Sequence, residues 1–161
     1  MAMIKQGLIP LLLIFLVALV LMVIPMPVVF DMLRPDWVTL VLLYWVLALP
    51  HRVNIGTAFV LGVMCDVLLG SVMGVHAIGL SVVTYFAARH FQRIRNFSIP
   101  QQAIIVGVLV LVKRAVIFEV NVVLHAADFT WAYFWPVLTS MIFWLWLFPL
   151  LRKLRRQLAI S

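Results

Sequence analysis

Two stretches of this chain run without a charge or a histidine for lengths that match a bilayer crossing: residues 7–30, 24 positions, and residues 129–151, 23 positions. A helix needs about 20 apolar residues to cross the roughly 30 Å hydrocarbon layer, so each run suffices for one crossing. Transmembrane β-strands would instead read as short alternating segments. Only 11% of the 161 residues are charged, against about 25% in a soluble domain, and the mean hydropathy is +1.21. A water-soluble globule is excluded. The expected fold is an all-α polytopic membrane protein, one integral membrane domain over residues 1–161.

Taken in order, the spans are expected at about 7–29, 37–50, 54–69, 72–88, 101–124 and 129–151, six helices joined by very short loops. The first run is longer than the 7–15-residue core of a cleavable signal and lacks an A-x-A site, so it is expected to remain as a span. The second segment has 14 uncharged residues, few enough that a buried or re-entrant helix is a rival reading. Residues 55–88 would make one helix of about 50 Å, which must break, and Gly70 and Gly74 are the best place. Residues 89–96 read as a basic loop.

Orientation follows from the basic residues. With six spans, Lys5, Arg52, Arg89, Arg93, Arg95, Arg152, Lys153, Arg155 and Arg156 share one side and Arg34 alone lies on the other. Cytoplasmic loops collect Lys and Arg, which places the C-terminus in the cytoplasm, and the N-terminus with it when residues 37–50 cross. If they do not, the N-terminus lies outside with Lys5 the lone exception. Six crossings with both termini cytoplasmic is the favoured expectation. The same distribution accounts for the net charge of +7 without nucleic acid. Arg152, Lys153, Arg155 and Arg156 are expected to touch anionic lipid, at about 1 kcal/mol each. The six tryptophans fall near span ends, as aromatic belts do.

Asp66, Lys113, Arg114 and Glu119 fall inside spans. Ionisable groups at that depth face the bundle interior and pair, and two acids with two bases sum to zero. The first expectation is a charge network holding span 3 to span 5, with Asp66 opposite Arg114, so that exchanging the two charges would partly restore a damaged protein. A proton or ligand site near the outer leaflet and a counter-charge supplied by a partner are the alternatives. Gly62, Asp66, Gly70 and Gly74 recur every four residues, a narrow stripe without bulk carrying one carboxyl group. Small residues at that spacing let helices approach closely, within this protein or with a partner's helix.

Nothing points to an enzyme. Cys65 is the single cysteine, which excludes an intramolecular disulfide and a paired-cysteine metal site. His51, His76, His90 and His125 form no HExxH pattern, and a metal would need three or four convergent ligands. No cofactor is expected.

Arg34-Pro35-Asp36-Trp37, the Pro50-His51-Arg52 exit and above all Gly62-x3-Asp66-x3-Gly70-x3-Gly74-x-His76 resemble the rod shape-determining protein MreD family. The resemblance runs from about residue 34 to the end of the sixth span. It implies a non-enzymatic component of the bacterial cell-wall elongation complex, acting with MreC, which has one transmembrane helix, and with MreB filaments and wall synthases. It also implies a fold similar to the S components of ECF vitamin importers, from which the alternative function follows: a small-molecule binding or transport subunit. Lys113, Arg114 and Glu119 match no motif of the family.

Overall fold

Apolar periodicity and helix-breaking signals divide this chain into helices, and a computed structural model describes them over residues 2–25, 27, 34–50, 52–70, 73–125 and 135–157, without the side chains of residues 2–6, 8, 124 and 125. Among the described residues the protein is all-helical: α1 Ala2–Val23, α2 Trp37–Ala48, α3 Ile55–Leu69, α4 Val75–Arg89, α5 Phe91–Asn96, α6 Ile99–His125 and α7 Trp135–Gln157. His51, Ser71, Asp128 and Trp131, and the side chain of His125, lie outside the description.

Local chemistry sets the boundaries. Asn54 caps α3, its Oδ1 accepting from the N–H groups of Gly56 at 3.0 Å and Thr57 at 3.4 Å, two of the donors a helix start leaves orphaned. Before α6, Gln101 Oε1 reaches back to the Ser98 N–H at 3.2 Å, half of a capping box. The Arg34 guanidinium donates to the Met22 and Ile24 carbonyls at the end of α1, where a cation also suits the helix dipole. Residues 91–96, expected as loop, form the short helix α5. Ile94 is the reason: it is buried while Arg93 and Arg95 stay exposed, so one apolar contact orders a basic turn.

The centre of the bundle is α2. Residues 38–47 are all buried, and α1, α4, α5, α6 and α7 all pack against it. A helix apolar on every side belongs in a core, and at 12 residues it rises about 18 Å. Around it the usual arrangement of polarity is inverted. The outward faces carry Leu13, Leu16, Val60, Val67, Ile104, Val108, Ile142 and Leu145, whereas Asp36, Thr39, Asp66, Thr84, Gln102, Lys113 and Ser140 are buried. An exposed apolar surface around buried polar groups is suited to hydrocarbon surroundings rather than water. Among the described residues one helix, Trp135–Gln157, is by itself long and apolar enough to cross a membrane, and four further apolar helices are shorter.

Candidate functional site

The glycine and aspartate stripe lies on the hairpin of α3 and α4. α3 ends at Gly70 in the left-handed conformation, φ +67°, its N–H bonded to the Asp66 carbonyl, the usual helix-terminating use of glycine. α4 starts from Gly74 at φ +101°. Having no side chain, Gly74 cannot cap the helix it begins, and Asp66 supplies the missing acceptor. Its Oδ2 accepts the Gly74 N–H at 2.8 Å, and its Oδ1 accepts the His76 N–H at 3.0 Å. The His76 ring nitrogen Nδ1 meets the same Oδ1 at 2.8 Å. A carboxylate at the positive end of α4 is also favoured by the helix dipole. The four-residue spacing thus has a local explanation: Asp66 sits one turn before the end of α3 and reaches across the turn to the start of α4.

Gly62 lies deeper in the same seam. A Cβ there would overlap the Ala77 backbone and stand 2.7 Å from the His76 carbonyl carbon, so α3 and α4 meet backbone to backbone. They are the most extensively packed pair in the protein, the close approach small residues permit.

The second polar cluster joins three helices. Lys113 of α6 places Nζ 2.5 Å from Asp36 Oδ2 and 2.9 Å from Thr39 Oγ1, and the Asp36 N–H donates to Ser140 Oγ of α7 at 3.1 Å. Asp36, just ahead of α2, and Lys113 are both buried. Arg114 is half-buried and Glu119 is exposed. The two clusters are neighbours: a Cβ on Gly79 of α4, one turn after His76, would lie 3.2 Å from Lys113 Cγ.

The residues singled out from sequence thus divide. Gly62, Asp66, Gly70, Gly74 and His76 come together in the hairpin seam. Lys113 joins Asp36, Thr39 and Ser140, a set that sequence reasoning missed. Its signal was an aspartate directly preceding an uncharged run, together with a lysine in mid-helix. Arg152 and Arg155 converge with Arg95 at the far end of the bundle, while Lys153 and Arg156 flank a neighbouring depression. Among the described residues no group of three His, Cys, Asp or Glu side chains could hold a metal ion.

The pattern described as rod shape-determining protein MreD matches residues 1–154, nearly the whole chain and all seven helices as far as the basic end of α7. The chain belongs to the MreD family. Among similar curated proteins is the rod shape-determining protein MreD of Haemophilus influenzae (strain ATCC 51907 / DSM 11121 / KW20 / Rd), 44% identical over 146 residues that cover 91% of this chain and 90% of that protein. No solved structure matches the chain. The architecture described above is therefore a view of an MreD family member, with the Asp66 cap and the Asp36–Lys113 cluster among its buried polar groups.

The Asp66 geometry makes a specific expectation. Asp66→Ala would orphan two backbone donors, at about 1–3 kcal/mol for each buried group. Asp66→Asn keeps one acceptor oxygen and should lose roughly half as much. An arginine at 66 would aim donors at donors, so the Asp66→Arg, Arg114→Asp exchange should remain as unstable as Asp66→Ala. Thermal unfolding in detergent checks the order; rescue by the exchange would refute it.

Proposed function

We propose that this protein is a non-enzymatic scaffold of the bacterial cell-wall elongation complex, crossing the inner membrane six times with both termini in the cytoplasm. The family match over residues 1–154 carries this reading. The physical arrangement supports it: the Asp66 and Asp36–Lys113 clusters cap a helix and tie three others together, which is structural work. α2 would be a crossing shortened by its central position, its ends reaching the interfaces through the Arg34–Asp36 and Pro50–Arg52 segments. The fold similarity to S components belongs to the same proposal.

The direct partner in this reading is MreC, through its single transmembrane helix, with MreB and the wall synthases joined through the complex. A groove of about 660 Å³ runs between α1 and α3, walled by Leu12, Leu16, Val60 and Met64. A photo-cross-linker at Met64 or Leu16 is expected to capture MreC in membranes. One at buried Asp66 would report the protein's own α4. Depletion should turn rods into spheres within a few generations, and cells that stay rod-shaped would refute the scaffold. A small-molecule carrier, the competing function, would instead co-purify with an ATPase module.

A further inference from the structure

At the end of the bundle where α2 and α7 finish and α6 begins lies a cavity of about 190 Å³ lined by Tyr44, Arg95, Gln102, Phe148, Arg152 and Arg155, with Leu47 and Ala48 completing the wall. Three guanidinium groups come to it from two helices, α5 and α7, more than fifty positions apart in sequence. Among the described residues the acidic ones are Asp36, Asp66 and Glu119, and none of them lines the cavity. Among the described residues, no carboxylate meets the charge there. Gln102 adds a second, independent mark. It is 2% exposed, its Nε2 donates to the Ile94 carbonyl at 2.9 Å, and its Oε1 has no partner among the described residues. A buried acceptor left open beside three cations specifies an anion with a hydrogen-bond donor next to it.

We propose that this cavity is a headgroup site for an anionic phospholipid whose phosphate carries a hydroxylated substituent, as in phosphatidylglycerol. Arg95, Arg152 and Arg155 hold the phosphate through charge-assisted bonds, for which the planar guanidinium fork is suited. A headgroup hydroxyl donates to Gln102 Oε1. The rings of Tyr44 and Phe148 form an apolar wall. The source is lipid because Phe148 and Arg152 also border a second depression, of about 400 Å³, which adds Ile99, Pro149, Lys153 and Arg156. Its apolar side gives the start of an acyl chain a path along α6 and α7, with the two cations at headgroup level. Diffuse attraction of a basic tail would be indifferent to which arginines are present; a built site is not.

The test uses the full chain in phosphatidylcholine nanodiscs with a small fixed fraction of phosphatidylglycerol, counting the phosphatidylglycerol retained per protein by native mass spectrometry. Retention is expected to fall about tenfold in Arg95→Gln, Arg152→Gln and to be unchanged in Arg89→Gln, Arg93→Gln, which removes the same charge from exposed positions outside the cavity. Gln102→Leu should lower retention with the charge intact. Equal loss in the two double variants, or no loss in the first, would overturn the site. Displacement of the lipid by inorganic phosphate or glycerol 3-phosphate at matched concentration would make it a soluble-phosphate site and overturn the lipid assignment. If the double variant fails to fold by circular dichroism, Arg95→Gln alone, at an exposed position, decides between the same outcomes.

Discussion

Lys113→Met is expected to remove most of the protein from the membrane fraction. The substitution keeps the length and apolar stem of the side chain and deletes only its charge, stranding a carboxylate at Asp36 that is 7% exposed. Breaking a buried ion pair from one side costs about 3–5 kcal/mol, comparable with the whole stability of many domains. Removing both charges is a different matter, since replacing a buried pair by apolar groups is often neutral or favourable. The double variant Asp36→Leu, Lys113→Met should therefore recover much of what Lys113→Met loses, short of the bond to Thr39, since the Ser140 bond comes from the backbone N–H of residue 36. A double-mutant cycle on thermal unfolding in detergent measures the coupling. Additive losses would mean that the pair contributes nothing as a pair.

Gly62→Leu should be comparably severe, and by steric means alone. Even the first carbon of a side chain meets the Ala77 backbone, and backbone cannot rotate aside as a side chain can. Gly62→Ala already forces α3 and α4 apart, with the about 1–3 kcal/mol typical of overpacking, and Leu enlarges the wedge. Gly107 is the control. A Cβ there also collides, but with the side chain of Met141, whose three rotatable bonds let it move, so Gly107→Ala should be nearly silent. The amount of folded protein recovered in mild detergent ranks the three. Gly62→Ala at wild-type level would show that the seam is looser than its backbone contact implies.

What was legible in the sequence was local. The turn between α3 and α4 can be read from Gly70 and Gly74 because only residues tolerant of positive φ sit there comfortably, and from the length limit on one crossing. All-helical architecture follows from long uncharged runs. The partner of Lys113 was not legible, because Asp36 is 77 positions away and nothing in the spacing says which helices touch. Asp66 shows a related limit. A carboxylate inside an apolar segment suggests a distant counter-ion, and two backbone N–H groups eight and ten residues on, which bond to its oxygens, leave no trace in the spacing of residue types. Backbone donors carry no residue signature, so a helix cap supplied from the neighbouring helix cannot be read from residue types alone. α5 escaped for want of periodicity, a single buried Ile94 being too little pattern to see.

The enclosure of α2 carries a consequence for how the protein is made. Asp36 bonds to Ser140, 104 residues later, and α6 and α7 both pack against α2. During synthesis, then, α2 emerges second, after α1 alone, and its surroundings are completed only when α7, the last helix, follows. Until α7 leaves the ribosome, α2 and its aspartate lack the last of the surfaces that cover them. A chain stopped short of residue 135 would leave the Asp36 N–H without Ser140 and α2 without α7, so the order of synthesis and the order of completion run opposite ways at the centre of the bundle.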